Sequence, residues 1–197
     1  MIDFLIIYEH KAREYDNVLL LKKELEKRGY IVCIELAGLL DYSKYRKEYK
    51  PKVIVTYSLY NNFSIISLVL SVVGSVKKVV NLQWEQLFQN NDEQIKLHVP
   101  REEAKKAVHV CWGNSSYNNL IKNDVKNCVI TGAIQLDFLK PSFSTYFNTR
   151  EEITKEYNIR KNGRIILYIS SFNATNLPKK EEEILIKEIG SSYQKIV

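Results

Sequence analysis

Glycine and proline are scarce in this 197-residue chain, at seven and four residues, and methionine occurs once. No glycine cluster has the spacing of a Walker or dinucleotide-type phosphate loop, in which several glycines let backbone amides approach the anion closely. The three cysteines, Cys33, Cys111 and Cys128, sit in separate apolar runs. An odd count with no close pair argues against a disulfide framework and for a reducing compartment. His10, His98 and His109 share no metal-ligand spacing with one another or with the cysteines, so no metal is expected. The most apolar stretch, Phe63 to Val73, falls short of the roughly 20 residues of a membrane span. The start, Met1-Ile2-Asp3-Phe4, enters a strand without the regions of a signal peptide. A cytoplasmic protein is expected.

What is present is ordinary globular chemistry: 45% hydrophobic residues, 26% charged residues and a net charge of +6. Lysines and arginines are mixed with glutamates along helical stretches, the pattern of solvated helix faces. One denser piece, Lys44-Tyr45-Arg46-Lys47-Glu48-Tyr49-Lys50, interleaves cations with tyrosines. It suits a peripheral contact with acidic headgroups at the inner face of the cell membrane. Without a second such block, nucleic acid is not expected as a partner.

Phe4 to Tyr8 is a continuous apolar run, as in a strand covered on both faces. Tyr15, Val18, Leu21 and Leu25 then recur at helical spacing from about Ala12 to Arg28, and Gly29 is placed to end that helix in the left-handed conformation. Further strands are predicted at Tyr30–Ile34, Val53–Thr56, Lys77–Leu82, Val108–Trp112 and Cys128–Thr131, with helices at 41–49, 63–73, 101–107 and from about Asn114 to Asn123, where Asn114 or Ser115 is the N-cap. Alternating strands and helices predict an α/β fold, a doubly wound, Rossmann-like parallel sheet over residues 1–140. Residues 141–197 read as a linker and an incomplete second α/β unit. Ser142 to Asn148 forms an aromatic connector, and Thr149-Arg150-Glu151-Glu152 is a capping box. The helix it opens runs to about Tyr157 with Ile153 and Tyr157 inward; a buried strand over Arg164–Ser170 and a helix over 179–190 follow.

Three segments carry a family likeness: Val110-Cys111-Trp112-Gly113-Asn114-Ser115, the hinge from Val129 to Asp137, and Glu156-Tyr157-Asn158-Ile159 followed by Arg164-Ile165-Ile166-Leu167-Tyr168. Over about residues 77–172 the chain resembles GT-B glycosyltransferases of bacterial surface carbohydrate and capsule polysaccharide biosynthesis, and more loosely glycerophosphotransferases of wall polymer synthesis. It departs from that pattern at Ala133-Ile134-Gln135, where the family usually has a proline and a basic residue. The resemblance implies an acceptor-side first domain that receives a sugar or lipid-linked saccharide. No cofactor is implied. The nucleotide-sugar donor would be held mainly by a second domain or a partner subunit, so these residues alone would be inactive. The alternatives are a non-catalytic binding half that pairs with a separate donor-domain protein, and a sugar-nucleotide 2-epimerase.

In a doubly wound sheet, ligands bind beyond the carboxyl ends of the strands. Glycosyl transfer needs a base for the acceptor hydroxyl and groups that hold the leaving diphosphate. Glu85, between Trp84 and Gln86 after the fourth strand, is the first candidate base, with Trp84 shielding the carboxylate or stacking on a sugar; His10 is the second. Tyr8, Tyr57, Ser58, Trp84, Gln86, Asn114 and Ser115 are the candidate substrate-binding residues. Asp137 is read as structural, accepting backbone amides at the hinge, His109 as a satisfied core residue and His98 as loop.

Overall fold

The computed structural model describes residues 2–37, 50–59, 78–86, 98–160 and 163–167. The helices expected at 41–49, 63–73 and 179–190, and all but the last residue of the basic tyrosine-rich piece, lie outside the described residues. The chain divides into two compact units, Met1–Phe147 and Asn148–Val197.

The first unit is a six-stranded parallel sheet. Its strands are β1 (Phe4–Tyr8), β2 (Val32–Leu36), β3 (Val53–Thr56), β4 (Lys78–Asn81), β5 (Val108–Cys111) and β6 (Cys128–Ile130), in the order β2-β1-β3-β4-β5-β6. The apolar runs become fully covered layers, with Leu5, Ile6 and Ile54 at 0% exposure. Helix α1 (Lys11–Glu26) buries Val18 and Leu25 against this core, with Tyr15 and Leu21 packed alongside. Gly29 adopts φ +84, which an L side chain rarely tolerates, so the dihedral explains the glycine there.

Several local expectations change. Strand β2 starts at Val32, two residues later than predicted, and Tyr30 and Ile31 are exposed. The Ile31 N–H donates to Asp3 Oδ2 at 2.8 Å and its carbonyl accepts the Asp3 and Phe4 amides, which fixes the approach before the ladder begins. The segment before β5 is a 3-10 turn over Glu102–Lys106, because Ala107 is already extended and leaves no room for α-helical bonding. Helix α2 (Asn114–Lys122) is capped by the extended Gly113, with no side-chain cap; Asn114 and Ser115 are its exposed first residues. Neither residue is the N-cap.

The aromatic connector belongs to the first unit. After Gly132 (φ +88), 3-10 turns at Ile134–Leu139 and Pro141–Phe143 bring Phe138 into a stack on Tyr146 with ring centroids 4.2 Å apart. The Tyr146 hydroxyl donates to Asp16 on α1. Asp137 Oδ1 pairs with Lys140 Nζ at 2.6 Å, so an ion pair one turn on replaces the expected bonds to backbone amides.

In the second unit, α3 (Arg150–Glu156) begins with the expected capping box: Glu152 N–H donates to Thr149 Oγ1, and Thr149 N–H donates to Glu152 Oε2 at 2.7 Å. Tyr157 is 66% exposed rather than inward, and Thr154 takes the buried position. Residues 164–167 form no strand, and Ile166 is 89% exposed. An apolar run becomes a strand only when its backbone groups find a ladder, and no strand lies among the described residues of this unit. The remaining residues of that expected strand, 168–170, are outside the described set.

Candidate functional site

The strand order reverses between β1 and β3, so the crevice beyond their carboxyl ends is the topological switch point of the sheet. Three segments converge there: Tyr8-Glu9-His10 after β1, Tyr57-Ser58-Leu59 after β3, and Leu82 to Gln86 after β4. The last two are tied by Leu82 N–H donating to Thr56 O at 2.9 Å and Trp84 N–H donating to Tyr57 O at 3.1 Å. Gln135, beyond β6, reaches in as its Nε2 donates to Trp84 O at 3.0 Å.

Register places a polar row beneath this crevice. Thr56 pairs with Asn81, Asn81 with His109, and His109 with Cys128. Paired residues of parallel strands point to one face, so these four lie abreast, and Thr56, Asn81 and His109 are at most 1% exposed. Asn81 Nδ2 contacts His109 Nδ1 at 3.1 Å and donates to Gln83 Oε1 at 3.0 Å; His109 Nε2 meets Ala104 O at 2.9 Å. His109 is thus a satisfied core residue, as its mid-strand position predicts. His98, in contrast, is drawn into the site, its Nδ1 lying 3.2 Å from Gln83 Nε2. Burial pushes both imidazoles below their ordinary pKa, opposed at His98 by the nearby Glu85 charge and at His109 by the bond to Ala104. Gln83 itself has φ +48, a left-handed backbone that costs a non-glycine residue on the order of 1–3 kcal/mol and turns the chain sharply before Trp84 and Glu85.

Among the described residues, six buried side-chain atoms have no hydrogen-bond partner: Glu14 Oε1, Asn17 Oδ1, Thr56 Oγ1, Ser58 Oγ, Trp84 Nε1 and Gln135 Oε1. Glu14 Oε1 has the Arg13 guanidinium 3.6 Å away; each of the other five stays unpaired at about 1–3 kcal/mol unless something fills the space beside it. They belong to α1, to β3 and its loop, to the segment after β4 and to the turn after β6, all at the same end of the sheet. Of these six residues, Asn17 also lines a cleft of about 390 Å³, where apolar Leu20, Leu21, Leu82, Ile134 and Phe143 stand with charged Glu24, Asp137 and Lys140. Its volume and mixed lining are those of a small-molecule site.

The residues singled out from sequence fall into three groups. Ser58 and Trp84 carry unpartnered polar atoms at the crevice. Tyr8 and Tyr57 are 8% and 6% exposed and belong to the core cluster. Gln86 is consumed structurally: its Nε2 donates to Gln83 O and Val110 O, and its Oε1 accepts the Trp112 N–H. Asn114 and Ser115 stand at the start of α2, after β5. Of the two candidate bases, Glu85 is about half exposed and accepts Arg13 Nη1 at 2.7 Å, and its neighbour Trp84 belongs to the buried core cluster. His10, at the N-cap position of α1, lies 3.7 Å from the Glu9 carboxylate, with 54% side-chain exposure.

Sequence reasoning passed over Arg13, Glu14 and Gln83. Arg13 links Glu85 to Glu14, its Nη2 lying 3.6 Å from Glu14 Oε1. Glu14 is only 1% exposed and accepts the Glu9 N–H at 2.7 Å. On a helical projection Glu14 falls four residues before Val18 on the apolar face, a signal that a helix of mixed charge conceals. No group of three or more histidine, cysteine or acidic side chains is placed to hold a metal among the described residues. No helix among them is long and apolar enough to cross a membrane. No family model matches this sequence, and neither does any curated protein.

Proposed function

We propose that the first unit is the acceptor-side half of a GT-B-type glycosyltransferase that acts on a surface or capsular polysaccharide acceptor in bacteria. The observation that supports this reading most is the set of unpartnered buried polar atoms around the carboxyl ends of the strands, one of which, on Asn17, belongs to a residue that also lines the cleft of mixed polar and apolar character. A saccharide presents hydroxyl donors and acceptors on its rim and C–H groups on its faces, so it can satisfy both kinds of surface at once. In the reaction, an acceptor hydroxyl gives its proton to a Glu85 carboxylate oxygen as that hydroxyl oxygen bonds the anomeric carbon. The bond from that carbon to the nucleoside diphosphate breaks, and the electron pair leaves with the diphosphate. Arg13 would orient the carboxylate. The donor would come from the second unit or from a partner subunit, and the work would be done in the cytoplasm at the inner membrane face.

The grip of Arg13 on Glu85 favours a second reading, a binding half without chemistry of its own, because a carboxylate held at 2.7 Å by a guanidinium is hindered as a base. The test uses protein expressed from its whole reading frame, with a panel of nucleotide sugars and simple glycoside acceptors. Transfer to one acceptor, reduced at least 100-fold by Glu85→Gln with donor binding intact, is expected. Saccharide binding without transfer to any acceptor would select the binding half, and transfer untouched by Glu85→Gln would remove Glu85 from the mechanism. Absence of both binding and transfer in folded protein overturns the glycosyltransferase reading altogether.

A further inference from the structure

The amide chain beneath the site has one fixed end. The Gln83 backbone N–H, which can only donate, points at Asn81 Oδ1 at 3.1 Å. That contact fixes the Asn81 amide, so the other arm, Nδ2, is the donor facing Gln83 Oε1 and His109 Nδ1. Gln83 Oε1 is therefore the acceptor, and Gln83 Nε2 is the donor. This agrees with its second contact, the Glu85 carbonyl at 3.4 Å, which can only accept. Each imidazole then meets an N–H at its Nδ1 and must leave that nitrogen unprotonated. His109 meets the rule at its other end, where Nε2–H donates to Ala104 O. His98 has the same tautomer imposed on it, from the same Gln83 side-chain nitrogen that touches the Glu85 backbone.

We propose that Asn81 and Gln83 are positioning residues that hold His98 as a neutral imidazole with its proton on Nε2, a hydrogen-bond donor near the acceptor Glu85. Protonating His98 at Nδ1 would set two N–H groups against each other, so the ring is kept as a donor rather than a base. The left-handed backbone of Gln83 fits this role, because the same turn that carries Glu85 outward returns the Gln83 amide to both Asn81 and His98. A ligand oxygen, hydroxyl or anionic, is the chemistry such a donor serves. That last role rests on the reading of the crevice as the reacting site; the tautomer lock does not.

Long-range proton–nitrogen correlation spectra of the nitrogen-15-labelled chain test the lock. Both rings are expected as Nε2–H tautomers at neutral pH. In Gln83→Glu the bond from Asn81 persists but an acceptor faces His98, so the His98 proton moves to Nδ1 while His109 is unchanged. In Asn81→Asp both rings gain Nδ1–H, because the acceptor now faces His109 and the Gln83 amide turns over. If Gln83→Glu does not fold, Gln83→Met removes the donor at similar length and is expected to populate Nδ1–H at His98 alone. A wild-type His98 with its proton on Nδ1, or a His98 signature unmoved in folded Gln83→Glu, overturns the proposal. Titration with methyl glycosides separates the two readings: shifts at the Ser58 amide without any at the His98 ring remove the donor role and leave the proposed function standing. Shifts at both support the donor role.

Discussion

Gln86 gives the sharpest energetic test of how this end of the sheet is built. Its side chain is 6% exposed and closes the gap between β4 and β5 with bonds of 3.0 Å to Gln83 O, 2.8 Å to Val110 O and 2.8 Å from Trp112 N–H. At a net value of about 1 kcal/mol per buried bond, Gln86→Ala should destabilise the first unit by about 3 kcal/mol, less whatever water entering the hole restores. Gln86→Met separates this from packing. Methionine has nearly the same length and excludes water, so the three backbone groups stay orphaned, each at about 1–3 kcal/mol, and Met should be no better than Ala. The two tryptophans of the chain, Trp84 and Trp112, flank the residue, so urea unfolding followed by intrinsic fluorescence reports on this place. The Trp112 amide should also lose hydrogen-exchange protection in both variants. A loss below about 1 kcal/mol, or a Met variant markedly more stable than Ala, would refute the reasoning and return Gln86 to the candidates for ligand contact.

Other outcomes follow from the same structure. The Arg13–Glu85 pair is about half exposed on both sides, so a double-mutant cycle should give a coupling energy below about 1 kcal/mol that fades with salt; a larger, salt-insensitive coupling would mean that the pair is shielded from solvent. His98 and His109 are both held below the ordinary imidazole value of 6.5 by burial. The unfolded chain therefore binds more protons near that pH, and their contribution to stability is full above pH 6.5 and lost as pH falls from there toward the folded values. Replacing His109 with glutamine should flatten the stability–pH curve in that window, and an unchanged slope would count against it. Cys111 is buried, its pKa pushed up to about 12, so alkylation at pH 8 should spare it until the protein unfolds. Removing the cap with Thr149→Ala should cost α3 about 1 kcal/mol, read as faster exchange at the Glu152 amide.

Local chemistry was legible where neighbours in sequence decide it. The apolar runs of β1 and β3, the inward positions Val18 and Leu25, the left-handed Gly29 and the capping box at Thr149 all depend on contacts within a few residues. The expectations that failed depended on distant partners. Tyr157 and the Arg164–Leu167 run have the composition of buried elements, but burial and strand pairing need a surface that the described residues of the second unit do not supply. The aromatic connector looked aperiodic because its order comes from Tyr146 meeting Asp16, 130 residues away.

The candidate site divides along the same line. That Ser58 and Trp84 stand at the carboxyl ends of the strands could be read from the alternation of strands and helices. That Gln86 is spent on backbone bonds, that Glu85 is held by Arg13, and that His98 joins Gln83 could not, since these pairs lie between 3 and 72 residues apart with no periodic signature.

The sequence by itself determined a parallel α/β sheet with its polar residues at one end, because hydrophobic periodicity and turn chemistry act locally. Only the tertiary structure decided the strand order that puts the reversal between β1 and β3, and the register that sets Thr56, Asn81 and His109 abreast. Register is fixed by backbone ladders between strands 25 and 28 residues apart, as Thr56 pairs with Asn81 and Asn81 with His109. A polar residue late in a strand looks the same in sequence whatever it will face.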